Sequence, residues 1–199
     1  SKDTLEIMRQ PIEDHQVHIS RVNGTYTYPA NFMLVAAMNP CKCGYFPDFN
    51  KCRCKEGEVK RYLSRISQPL LDRIDICVEI AQMNYKDITS NRKIESSKEI
   101  KKRVMLARKI QEERYAGTEY RFNSDLNGTG VKEYCKLLKK EEEFMEGIYK
   151  KLNLSARGYH RLLKVARTIA DIDNSKNIQL IHLSEAAAYR TMDKEYFKR

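Results

Sequence analysis

Phe32-Met33-Leu34-Val35-Ala36-Ala37-Met38-Asn39-Pro40 is the stretch that decides the fold class. Seven apolar residues follow one another without a polar break, and Asn39-Pro40 ends the run. A segment so short and so uniformly apolar reads as a central parallel strand covered on both faces. The first part of the chain is therefore expected to be α/β. Asn39 would lie just past the C-terminal end of that strand, the edge at which open α/β sheets bind ligands. A carboxamide there can orient a water or contact a phosphate oxygen. Asn-Pro is also a common turn pair, which is the structural alternative for Asn39.

Toward the N-terminus, Val17 to Tyr28 holds Asn23-Gly24 between two alternating, β-rich arms. That pattern predicts a β-hairpin with positive φ at both turn positions. Pairing Val22 with Thr25 puts Val17, Ile19, Arg21, Tyr26 and Tyr28 on one face, with His18, Ser20, Thr25 and Thr27 mostly on the other. Before the hairpin, residues 4–14 read as a helix with Leu5, Met8 and Ile12 on one side. Toward the C-terminus comes a cysteine-rich loop, then a helical pattern over 56–71 that Pro69 interrupts. Ile74, Ile76, Val78 and Ile80 alternate with Asp75, Cys77 and Glu79 and read as a second strand.

After about residue 84 strand signals vanish. Helices are expected over 96–115, with Ile100, Val104, Ala107 and Ile110 on one stripe, and over 130–138, 141–152, 155–172 and 181–192. The helix from 155 has Ser155 as its N-cap and Tyr159, Leu162, Leu163, Ala166, Ile169 and Ala170 on one apolar face. The expected organisation is α/β followed by all-α, in segments 1–84, 85–128 and 129–199.

Lys and Arg outnumber Asp and Glu by 37 to 27 in the 199 residues, a net charge of +10. That balance favours polyanionic partners such as nucleic acid or nucleotide phosphates, or serves solubility alone. No apolar run approaches the roughly 20 residues of a membrane span, and the first residues read as helix rather than signal peptide. The expectation is a cytoplasmic protein. The chain does not begin with Met, which reads as a boundary inside a larger protein.

Four of the six cysteines form Cys41-Lys42-Cys43 and Cys52-Arg53-Cys54. Clustered cysteines without a secretory signal read as metal ligands, and four thiolates can close a tetrahedral zinc site. C-x-C is tighter than the common C-x₂₋₄-C, so free thiols are the alternative. Arg73 stands at the mouth of the second expected strand, where a permanently charged, planar fork can reach a phosphoryl group. A salt bridge with Asp72 or Asp75 would explain it equally. Arg157, Arg161 and Lys164 form a basic stripe opposite the apolar face of their helix. A cation in a first helical turn opposes the helix dipole, so Arg157 hints at an anionic partner; the alternative is a solvated face.

Leu5 to Asp14, Ser20 to Asn39, Tyr62 to Ile76 and Leu154 to Asp171, with a weaker stretch from His182 to Arg190, together resemble the ComM branch of the magnesium-chelatase-like AAA+ ATPases. The resemblance covers nearly the whole chain. It implies the C-terminal part of an AAA+ core (parallel strands, pre-sensor-1 hairpin, Cys-rich loop) followed by a helical lid. It further implies that Asn39 is the sensor-1 residue, Arg73 the arginine finger and Arg157 the sensor-2 arginine. In related hexameric helicases the hairpin projects into the central channel, which makes Arg21 the expected DNA-facing cation. Zinc on Cys41, Cys43, Cys52 and Cys54 agrees with paired cysteines in the same loop of the family.

The sequence holds no G-x-x-x-x-G-K-[ST] and no apolar strand ending in a magnesium-binding acidic pair. ATP and magnesium are expected only in a full-length protein, and no ATPase activity from this stretch alone. Three functions compete: a hexameric DNA helicase or branch-migration motor of natural transformation, acting on single-stranded or branched DNA; a chelatase-type motor that remodels a protein partner for metal insertion; and a zinc-stabilised nucleic-acid-binding module. Fold cannot separate the first two. An uncovered Phe32 strand is expected to drive dimers or larger assemblies.

Overall fold

The computed structural model describes residues 2–80, 83, 85, 89 and 94–197, with side chains from 3 to 190. It divides into two compact units, residues 1–74 with 193–199, and residues 75–192. The boundary expected near residue 84 lies outside the described residues.

In the first unit, the helix expected over 4–14 is two short helices, α1 (Lys2–Ile7) and α2 (Arg9–Asp14). The break at Met8 follows from Pro11, which has no N–H for the carbonyl of Ile7 and crowds it sterically. His15 ends α2 at a left-handed φ of 54°, its N–H bonded to the Pro11 carbonyl. Strands β1 (Gln16–Arg21) and β2 (Gly24–Pro29) then pair antiparallel.

The hairpin register differs from the expected one. Arg21 faces Gly24, so Val22 and Asn23 form the turn. Neither takes a positive φ; Gly24 does, at 139°. The Asn-Gly pair marks the hairpin correctly, but the strain falls on the residue without a Cβ. Val17 faces Tyr28 and Ile19 faces Tyr26 on the side of Arg21. On the other side His18 Nδ1 meets Thr27 Oγ1 at 2.9 Å and Ser20 Oγ meets Thr25 Oγ1 at 3.2 Å.

The two expected parallel strands do not form. Residues 30–38 and 74–80 take no regular secondary structure, and the sheet among the described residues has two strands, both in the hairpin. Met33 and Val35 are 87% and 80% exposed. A parallel strand obtains its hydrogen bonds and cover from neighbours, and the described residues place no strand beside this one.

Helix α3 (Glu56–Leu63) starts with the Lys55 N–H donating to Glu58 Oε2 at 2.9 Å. α4 (Gln68–Leu71) starts at Ser67, whose Oγ accepts the Leu70 N–H. The expected 56–71 helix thus breaks at residues 64–67. Pro69 falls in the first turn of α4, where its missing N–H costs nothing.

The regular elements described in the second unit are all helices. α5 (Ser97–Arg114) begins with a capping box between Ser96 and Glu99. A 3₁₀ turn (Asn123–Asp125) leads to α6 (Gly128–Tyr134), capped by Asn127. α7 (Lys139–Lys151), α8 (Ala156–Ile172) and α9 (Leu180–Phe197) follow. Ser155 caps α8 by accepting the Gly158 N–H at 3.1 Å. The apolar face of α8 buries Leu162, Leu163, Ala166 and Ile169 in one cluster with Leu126, Val131, Met145, Ile148 and Leu183, and Ala170 is buried as well. Each fully buried leucine contributes about 2 kcal/mol. The stripe expected on α5 is only partly used: Ala107 is buried, while Ile100 and Val104 stay nearly half exposed.

Candidate functional site

Cys41 to Cys54 fold into a loop whose sulfurs converge. The Gly44 N–H donates to the Cys41 carbonyl at 3.2 Å, and Gly44 takes a positive φ of 83° that reverses the chain after Cys43. At the other end the Cys52 N–H donates to the Asp48 carbonyl at 2.7 Å. Val59 and Leu63 of α3 pack beneath the loop together with Phe46 and Tyr62. Cys41 is completely buried, Cys52 and Cys54 are half-buried and Cys43 is exposed.

The four Sγ atoms lie within 4.8 Å of one another. Cys41 and Cys43 are 3.3 Å apart, Cys43 and Cys52 3.6 Å, and Cys41 and Cys52 3.8 Å. A tetrahedral zinc–thiolate site, with bonds of about 2.3 Å, has S···S edges of about 3.8 Å. The loop therefore fits a metal ion of that size with little adjustment.

The thiols do not ionise alike. Burial opposes the Cys41 thiolate, but the backbone N–H groups of Phe46 and Cys43 outweigh it and lower the pKa. The Tyr45 backbone N–H, then the Cys41 sulfur, bring Cys43 down to about 6. At Cys52 the Cys54 N–H favours the thiolate, but desolvation and the Cys43 and Cys41 sulfurs prevail and push the thiol up to about 12. At Cys54 the Cys43 N–H likewise favours ionisation, and the Cys43 sulfur and desolvation overcome it. The Cys41 and Cys43 sulfurs thus oppose ionisation of the other two thiols. A cation among them would relieve that repulsion, as metal binding couples to thiol deprotonation.

Asn39 is exposed at the entrance of this loop, its carboxamide carbon 3.9 Å from where a Cβ on Gly44 would sit. Arg73 follows α4 directly. Its Nη1 donates to the Pro69 carbonyl at 2.7 Å and its Nη2 pairs with Glu13 of α2. The Arg73 side chain is 10% exposed. Asp75, one of the carboxylates the sequence offered to Arg73, instead accepts from Arg161 at 2.7 Å. Arg21 is exposed beside the turn of the hairpin.

In the second unit the expected basic stripe separates. Arg157 is exposed in the first turn of α8. Arg161 is held by Asp75, and Lys164 donates to the Ser124 carbonyl at 2.8 Å. Desolvation, then the charge of Arg161, lowers the Lys164 pKa. Only Arg157 keeps the exposed position the stripe led one to expect of all three.

Sequence reasoning missed two features. One is Glu13, which carries no local signal because its partner lies 60 residues away. The other is a buried polar hub. Asp171 is fully buried and accepts from Arg114, Asn123 and Arg167. Asn123 also accepts from Tyr115 Oη at 2.6 Å and donates to Thr168 at 2.9 Å. Arg167 closes the end of α8 by donating to the Lys176 and Ser175 carbonyls. Its one local clue is Arg167 and Asp171, four residues apart beside the apolar face.

Two family models divide the chain. Residues 1–88 match magnesium chelatase, subunit ChlI, and residues 94–190 match magnesium chelatase, subunit ChlI C-terminal. Protein YifB of Escherichia coli (strain K12) is 44% identical over 193 residues, covering 96% of this chain and 37% of that protein. Competence protein ComM of Haemophilus influenzae is 39% identical over 192 residues, with the same shares. Protein Rv2897c of Mycobacterium tuberculosis is 30% identical over 195 residues. The chain thus spans 37% of the length of the curated relatives it matches. With both of its parts matched in sequence order, and such relatives along nearly its whole length, the chain belongs to the ComM-like magnesium-chelatase family.

Proposed function

We propose that this chain is the C-terminal portion of a ring-forming AAA+ ATPase that acts on DNA, as a helicase or branch-migration motor serving natural transformation in the cytoplasm. The observation that carries the reading is the 39% identity, through 96% of the chain, to a protein named for competence. In this reading Asn39 senses the nucleotide's terminal phosphate, Arg73 reaches the ATP of a neighbouring subunit, and Arg157 answers from the lid. The exposure of Arg157 and the solvent-facing position of Arg21 support contact with phosphates. A hexameric ring would bring Arg21 of each subunit to single-stranded or branched DNA in the channel. The net charge of +10 agrees with a polyanionic substrate.

Cys41, Cys43, Cys52 and Cys54 would hold a structural zinc, which supplies cross-linking and no reaction step. The sequence has no phosphate-binding loop, so we propose that this stretch hydrolyses no ATP unless joined to the remainder of the protein. No helix among the described residues is long and apolar enough to cross a membrane.

The family models favour a second reading, because both are described by a magnesium chelatase subunit. In it the same motor remodels a protein partner for metal insertion. ATP hydrolysis by the full-length protein, with and without single-stranded and forked DNA, separates the two. Stimulation by DNA that Arg21→Ala reduces supports the DNA motor. A rate indifferent to DNA and raised by a protein partner leaves the chelatase-type reading.

A further inference from the structure

We infer that Glu13 is a positioning residue for Arg73. The inference rests on reading Arg73 as the residue that contacts phosphate. An arginine stabilises a developing charge only if its guanidinium is oriented before the reaction, because orienting it afterwards forfeits the preorganisation. A free arginine side chain has many rotamers and no such orientation. Arg73 is fixed at two different nitrogens. Nη1 rests on the Pro69 carbonyl within its own turn, and Nη2 is paired with the Glu13 carboxylate. Two anchors on separate nitrogens set the plane of the group as well as its reach.

Both anchors sit on built elements. Pro69 belongs to α4, whose start is tied by Ser67, and Glu13 belongs to α2, whose end is fixed by the left-handed His15 and whose Pro11 is buried. The side chains are 10% and 27% exposed, so the pair is shielded from the screening that makes surface pairs weak. The sixty residues between the partners mean that no local helical constraint imposes the contact. The same acidic group also ties the segment before the hairpin to the segment carrying Arg73. Glu13 thereby acts on catalysis through Arg73 and touches no nucleotide itself.

The test is steady-state ATP hydrolysis by the full-length protein, comparing Glu13→Gln, Glu13→Asp, Arg73→Ala and the double variant Glu13→Gln/Arg73→Ala, with thermal melting of each. R73A is expected to lower kcat about 100-fold or more. E13Q, which keeps the size and removes the charge, is expected to lower kcat about tenfold with KM within about twofold and melting unchanged. E13D should recover part of that loss, and the double variant should be no slower than R73A alone. E13Q turning over as fast as the unaltered protein or faster overturns the inference while leaving Arg73's role intact. So does a double variant slower than R73A by the full E13Q factor, which would make Glu13's effect independent of Arg73. R73A that retains the full rate refutes the phosphate-contacting role of Arg73 and this inference with it. If E13Q does not fold, the comparison of E13D with E13D/R73A decides on the same criterion.

Discussion

Arg114, the last residue of α5, closes both terminal nitrogens onto the carboxylate of Asp171 near the end of α8. Arg167 adds its Nε to the same carboxylate at 3.1 Å. Two guanidinium groups therefore depend on one fully buried anion. Replacing Asp171 by Asn leaves both without their counter-charge, and removing one partner of a buried pair costs about 3–5 kcal/mol. Urea unfolding of D171N should show a loss of that order. A loss below about 1 kcal/mol would mean that the hub is not what joins these elements.

The cysteine loop is open to a direct count of metal. Protein prepared with zinc and without chelator should carry close to one zinc per chain by elemental analysis. The double variant Cys43→Ser/Cys52→Ser should carry none and lose the melting increment that zinc confers. Zinc-free protein under those conditions would remove the metal from the loop and leave four thiols there.

Raised pH should weaken the helical unit. Burial pushes the Cys135 thiol up to about 11 and the Tyr115 hydroxyl up to about 12. Each group is held protonated in the folded state. Its stabilising contribution is full below its unfolded pKa, near 9 for the thiol and 10 for the phenol, and declines as pH rises toward the folded value. Unfolding free energy should fall between about pH 9 and 12, by on the order of 2 kcal/mol from Cys135 alone. Cys135→Ala should flatten the lower part of that decline; an identical profile in the variant would exclude the thiol as its source.

Gly130 is the glycine with least room. A Cβ there would lie 2.9 Å from Leu126 Cδ2 and 3.0 Å from Tyr120 Cζ and Oη. Tyr120 is itself set edge-on against Tyr115 and Tyr134, so it cannot swing away without disturbing both. Gly130→Ala is expected to destabilise by about 1–3 kcal/mol despite alanine's better helix propensity. Gly147→Ala on α7, where nothing lies within 4 Å, should be neutral or stabilising under the same denaturation assay.

Local patterns proved the most legible. The apolar face of α8 and its Ser155 cap follow from spacing alone, and so does the existence of the hairpin, although its turn sits one residue earlier than Asn-Gly implies. The convergence of Cys41, Cys43, Cys52 and Cys54 was visible because all four lie within fourteen consecutive residues. Phe32–Met38 reads as a strand from its own composition, yet a strand exists only with a partner, and no pattern within the run says whether one is present. The Arg73–Glu13 pair and the Arg114–Asp171 pair were illegible for a related reason. Each joins residues more than fifty positions apart, and a charged residue on a helix looks the same in sequence whether it meets water or a buried ion.

Pro29 and Pro40 bracket this exposed run, and the ten residues between them carry neither charge nor proline. Such a segment has the composition that cross-β stacking favours. The prolines act as gatekeepers, since neither can donate to a ladder that tries to grow past it. Any copy-to-copy pairing through this run is confined to the window between them. In this stretch taken by itself, a charged side chain at Val35, near its middle and 80% exposed, would interrupt that pairing.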